Sequence, residues 1–390
     1  MVNLITKLFI KNSDAVSNPD VRTAYGNMSG AVGIFLNLCL FSAKLVSGIL
    51  TASISVVADA FNNLSDAGSS LVTFLGFRLA GRPADKEHPF GHGRYEYLTG
   101  LVISFLILLV GIELLKSSVD KILTPEAVTS MNLISAIILG ASILVKLWMF
   151  YFNKILSKKI DSSALRATAT DSLTDSVATS IVLIGLIFSH YTGVNIDGYL
   201  GVGVAVFILI AGIRTFKESI SPLLGTPPKQ EFVDDIKRAV LSDEMIVGLH
   251  DLIVHDYGPG RCIISLHAEI SDKEDLLKAH DKIDLIEKEL ENKFNCLATI
   301  HMDPIASDDE YTVSLMEKVV SVLRTISKDF SVHDFRVVQG ETHTNVIFDL
   351  VVPYDCKEKN ESIRKKSAEL IQDIDSKLVP VIYIEKPYIQ

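Results

Sequence analysis

SISVVADAFNNLSDAGSSLVTFLGF at 53–77 and ALRATATDSLTDSVATSIVLIGL at 164–186 decide how the chain folds. Both are mainly apolar and long enough to cross a bilayer as a helix, which takes about 20 residues. Each also carries two polar residues four apart: Asn62 with Asp66, and Asp171 with Asp175. On a helix that spacing puts both members of a pair on one face. Carboxylates inside a bilayer are costly and mark an ion or proton path. Helix-to-helix hydrogen bonding is the other use of such residues. It does not suit three carboxylates in one place, which repel one another unless a cation lies between them. The expected site is therefore Asn62, Asp66, Asp171 and Asp175, all oxygen donors. Oxygen-only ligation favours hard cations; Zn2+ prefers Cys and His. Mn2+ is the expected ion, with Fe2+ or Zn2+ as alternatives.

Outward from these two runs, six stretches qualify as spans: 28–50, 54–79, 97–117, 131–153, 168–189 and 195–216. The first two are joined by a tight turn around Thr51. Lys7, Lys11 and Arg22, the loop with Arg78, Arg82, Lys86 and Arg94, and the loop with Lys154, Lys158, Lys159 and Arg166 all fall on one side. Positive charge marks the cytoplasmic side, so a multi-pass cell-membrane protein with both termini in the cytoplasm is expected. The first 20 residues lack an apolar core with a cleavage site, so no signal peptide is expected.

After Pro222, Pro227 and Pro228 the chain turns polar. From Gly225 onward there are 20 Lys and Arg against 32 Asp and Glu, a net of −12. That balance excludes a nucleic-acid partner, which needs a basic patch. Cys39, Cys262, Cys296 and Cys356 show no CxxC spacing and fit a reducing compartment. Residues 229–303 read as helix (231–241), strand (249–256), strand (261–270), helix (275–294), strand (297–302), the order of a ferredoxin-like α+β sandwich. Residues 310–390 repeat it: GLHDLIV at 248–254 matches SVHDFRV at 331–337, ISLHAEI at 264–270 matches VIFDLVV at 346–352, and ATIHMDP at 298–304 matches VIYIEKP at 381–387. The expected organisation is an N-terminal cytoplasmic segment (1–26), a six-transmembrane-helix bundle (27–224) and two tandem modules (225–304 and 305–390).

Two further clusters carry ligand chemistry. Asp85, His88 and His92 lie within eight residues of a loop holding Pro and Gly. His250, His267, His280 and His301, four of the chain's ten histidines, gather with Asp303 in the first module. Alternation puts His301 and Asp303 on one side of a strand, and four His with one Asp suit two ions bridged by the carboxylate. With the pairing above, His250 has its counterpart in His333. His267, His301 and Asp303 then become Asp349, Ile384 and Lys386, and no full metal site is expected in the second module.

ADAFNNLSD (58–66), ATATDSLTD (167–175), RPADKEHPFGHGRYEY (82–97) and the HD, LHAEI, KAHD and IHMDP segments of the first module together resemble the cation diffusion facilitator family over 27–304. The resemblance implies a homodimeric transporter, not an enzyme, that exports divalent metal against protons, with a further metal site in the 82–97 loop. It also implies a manganese branch, because Asp171 stands where zinc members typically carry His and an Asn-Asp-Asp-Asp quartet resembles the manganese exporters, and an elongated form with an extra module. Relatives place an acid near position 225 to pair with a base in the 93–96 region; here Gly225 stands opposite Arg94. A membrane-anchored hydrolase built on the His-rich module is the competing reading.

Overall fold

The structure, a computed structural model, describes the chain apart from residues 1–5, 7–8, 11, 17–18, 51–53, 125–132, 193–195, 306–308 and 388–390. It falls into two compact units: residues 1–226 together with the turn 256–261, and residues 227–255 together with 262–390.

Among the described residues the first unit holds six long helices: α1 (Pro19–Leu50), α2 (Ile54–Ala80), α3 (Tyr95–Leu123), α4 (Leu133–Ile160), α5 (Ser163–Thr192) and α6 (Asp197–Leu224). They overlap the six apolar stretches and run past them, α1 and α5 at the start, α3, α4 and α6 at the end. The reason is that a helix satisfies its own backbone whether or not its side chains are apolar. Among the described residues, α1, α3, α4 and α6 are long and apolar enough to cross a membrane. The turn expected around Thr51 lies outside the described residues.

The helices pack closely where side chains are small. A Cβ on Gly30 of α1 would sit 2.8 Å from the Phe74 backbone of α2, so only glycine permits this approach. Between α2 and α5 the hydroxyls of Thr73 and Thr168 lie 3.0 Å apart, both buried. That bond fixes the register of the two helices that carry the paired carboxylates.

The second unit holds α7 (Gln230–Val240), β1 (Ile246–Asp256), β2 (Cys262–Ser271), α8 (Leu276–Phe294) and β3 (Cys296–Ile305), then α9 (Glu310–Leu323), β4 (Ser331–Gln339), β5 (Thr344–Val351), α10 (Asn360–Ile374) and β6 (Leu378–Glu385). Each set is helix, strand, strand, helix, strand, with a three-stranded sheet in the order β1-β2-β3 or β4-β5-β6. Each sheet closes its own apolar core, Ile264, Leu266 and Ile300 in one and Val346, Phe348 and Ile382 in the other. Asp251 and Asp334, equivalent in the repeat, both adopt left-handed backbone, φ 49° and 52°. Aspartate tolerates that region better than most residues.

The strand register corrects one sequence pairing. His267 lies beside His301 and Glu269 beside Asp303 on the parallel pair β2–β3. On β5–β6, Asp349 lies beside Tyr383 and Val351 beside Glu385. The counterparts of His301 and Asp303 are therefore Tyr383 and Glu385, not Ile384 and Lys386. A slip of one residue exchanges the two faces of a strand, and VIYIE offers few polar residues to fix the register. Lys386 turns away, donating to the Pro353 carbonyl at 2.9 Å.

Candidate metal centres

Asp66, Asp171 and Asp175 converge: one carboxylate oxygen from each lies within 4.8 Å of the others. Helical spacing of four aligns the α5 pair, and α2 supplies Asp66 from across the bundle. The Asn63 amide donates to Asp66 Oδ2 at 3.3 Å. Asn62, the residue expected from spacing alone, is exposed, while Asn63 is buried. The difference is 100° of helix rotation, small enough that the two asparagines compete for one role.

A cation already sits among these carboxylates. Lys146 of α4 places Nζ 2.6 Å from Asp66 Oδ2 and 2.7 Å from Asp175 Oδ2, and its side chain is only 3% exposed. Sequence reading missed it. The signal was a single Lys inside the apolar run LISAIILGASILVKLWMF, and an ionisable residue at such depth calls for a partner.

The 82–97 loop forms a second centre. Asp85, His88 and His92 offer donor atoms within 4.8 Å of one another. Asp85 Oδ1 accepts from the backbone N–H of His88 at 2.8 Å and of Glu87 at 3.0 Å. The His88 bond foremost, with that of Glu87, holds the carboxyl below its ordinary range. His92 Nδ1 lies 2.9 Å from the Pro83 carbonyl. A carbonyl only accepts, so Nδ1 is the donor in that bond, and Nε2 faces Asp85 Oδ2 at 3.4 Å.

In the first module Asp303 is the hub. His267 Nδ1 lies 2.8 Å and His250 Nε2 3.1 Å from its Oδ2, and His301 Nε2 lies 3.3 Å from its Oδ1. Burial would lower the His250 pKa, but the hydrogen bond and charge of Asp251, with Asp303 and Glu269, outweigh it and hold it above the ordinary value. His280 does not join this cluster. It is exposed on α8 next to buried Ala279, because α8 turns Ala279, Ile283, Ile286 and Leu290 into the core and position 280 falls off that stripe. Arg94 is also engaged: its Nη2 donates to the Asp256 carbonyl at 2.7 Å, and its guanidinium lies over the Tyr257 ring at 4.5 Å, all within the helical unit.

The model of the cation efflux transmembrane domain matches residues 31–224, and that of the cation efflux protein cytoplasmic domain matches 228–305. The chain belongs to the cation efflux family. An uncharacterised transporter of Methanocaldococcus jannaschii is 29% identical over 68% of this chain and 94% of its own length. The cation-efflux pump FieF of Cronobacter sakazakii is 29% identical over 68% of this chain and 88% of its own. The manganese efflux system protein MneS of Bacillus subtilis is 27% identical over 72% and 96%. Cation efflux proteins are membrane transporters of divalent cations, with a cytoplasmic domain that forms dimers. The hydrolase reading falls with that assignment. The second module lies beyond both matched regions.

Proposed function

We propose that this cation efflux protein exports Mn2+ from the cytoplasm in exchange for protons, through six spanning helices and with both termini cytoplasmic. The observation that carries the reading is the convergence of Asp66, Asp171 and Asp175 from α2 and α5. Oxygen donors without His or Cys favour a hard or borderline ion, and the similar proteins include a cation-efflux pump, FieF, and a manganese efflux system protein, MneS. Either Asn62 or Asn63 completes the donor set with its amide oxygen.

Lys146 supplies what an empty site needs. Its ammonium neutralises Asp66 and Asp175 while no metal is present, and an arriving ion displaces it. Protons from the outer side then compete with the metal for the same carboxylates and release it, after which the ammonium returns. The helix–strand–strand–helix–strand order supports reading both modules as ferredoxin-like.

Asp85, His88 and His92, and His250, His267, His301 and Asp303, are proposed to bind cytoplasmic metal. Their mixed N and O donors suit a transition ion, and the buried His250 Nε2 lacks a hydrogen-bond partner that an ion would replace. His280 adds to this set only from outside its own cluster. Metal there would stabilise the homodimer and bias transport, an allosteric role that requires a measurable coupling between the sites.

Purified protein in liposomes with an imposed pH gradient tests the function. Mn2+ flux above Fe2+, Zn2+ and Mg2+, abolished by Asp171→Ala and lost when the gradient collapses, is the expected result. Equal flux without a gradient would indicate a passive channel and overturn the exchange reading.

A further inference from the structure

The second module brings a histidine to the first module's cluster. The rings of His250 and His333, equivalent positions in the repeat, stack with centroids 4.4 Å apart. Asp251 lies between them: Oδ2 is 3.3 Å from His250 Nδ1 and Oδ1 is 3.7 Å from His333 Nε2. One donor atom from each of His250, Asp251 and His333 falls within 4.8 Å of the others. Their side chains are 10%, 25% and 11% exposed. Both ring nitrogens of His333 are buried without a hydrogen bond, while His250 Nδ1 on this side meets Asp251 Oδ2.

Leaving a buried polar atom unpaired costs about 1–3 kcal/mol. A stacked histidine with both nitrogens unpaired beside a carboxylate is therefore a poor packing arrangement and a good donor. Three ligands at about 2.1 Å from one ion stand about 3–3.5 Å apart, so closure of roughly 1 Å would seat it. The surroundings are anionic as well. Asp349 Oδ2 lies 4.0 Å from His333 Nδ1, the nitrogen that does not face Asp251. Burial pushes the Glu385 carboxyl up, and the charges of Asp251 and Asp349 push it further the same way. Register makes Asp349 and Glu385 the counterparts of His267 and Asp303, so the second module keeps an acidic remnant of the first module's set.

We propose that the two tandem modules clamp one divalent first-row transition ion between His250, Asp251 and His333. His250 faces Asp303 with one nitrogen and Asp251 with the other, so this seam site shares a wall with the Asp303 cluster but takes its own ion. The second module is then a metal-dependent partner for the first, carried on the same chain.

Equilibrium binding to the full-length protein in detergent tests this without reference to transport. Chelator-stripped protein is loaded with Zn2+, desalted and its bound zinc counted; Co2+ absorption reports the coordination. His333→Gln should bind one ion per chain fewer than wild type, and Asp251→Asn should do the same. Asp349→Asn should weaken that ion about 10–100-fold. His267→Ala should lose a different ion and keep the one that depends on His333. A His333→Gln protein that elutes as a single folded species and binds as many ions as wild type, with the same affinity, overturns the proposal. If His333→Gln does not fold, an unchanged count in Asp251→Asn overturns it equally.

Discussion

Replacing Lys146 by Met removes the one described ammonium from the carboxylate cluster while keeping most of the side chain's length. At separations of 2.6 and 2.7 Å, each ion pair carries about 6 kcal/mol of attraction at an effective dielectric of about 20. Desolvation of three buried charges offsets much of that. Measured losses for breaking a buried pair from one side are about 3–5 kcal/mol, because the remaining charge is left uncompensated. The metal-free variant should be less stable by that order. A bound divalent ion would compensate the carboxylates itself and no longer has an ammonium to displace. Mn2+ affinity should therefore rise by roughly a hundred-fold to a few thousand-fold, at about 1.4 kcal/mol per tenfold. The assay is Mn2+ titration of stripped protein by calorimetry, paired with melting curves in chelator and in excess Mn2+. Tighter binding with a lower metal-free melting point is the predicted pattern. Unchanged affinity and unchanged melting would refute the idea that Lys146 holds the metal's place.

Asp171→His should shift transport preference from Mn2+ toward Zn2+, since an imidazole softens the donor set; competition flux in liposomes reads it. Asn62→Ala and Asn63→Ala separate the two candidate amides: the true ligand's loss should lower Mn2+ affinity at least tenfold and the other's leave it near wild type. Gly30→Ala should destabilise the bundle by about 1–3 kcal/mol, the usual cost of overpacking, because its Cβ would meet the Phe74 backbone; the melting point in detergent measures this. His92→Ala should abolish metal binding by the 82–97 loop while the Asp85 turn persists, since that turn is held by backbone N–H groups.

The bundle was legible because a bilayer demands long apolar runs, and the Asp pairs stood out against them. Lys146 was not, since one cation in an apolar run scarcely alters the run's character and its partners lie 80 and 29 residues away. Exact spacing of four points to Asn62, whereas the structure turns Asn63 toward Asp66. In the second unit the repeat is visible in the HD and IS/VI segments, but strand β6 is apolar at almost every position. Only the pairing with β5 fixes which residues share a face, and that moved the Asp303 counterpart from a lysine to Glu385. The contribution of His333 to the first module's cluster depends on how two modules pack, which no spacing within either one encodes.

Asp66, Asp171 and Asp175 are proposed to form the transported ion's site. Mn2+ flux into liposomes, driven by a pH gradient, tests it when wild type is compared with Asp171→Ala of equal melting point and equal insertion. The account predicts flux in wild type and none above empty liposomes in the variant; wild-type flux in that variant would contradict it.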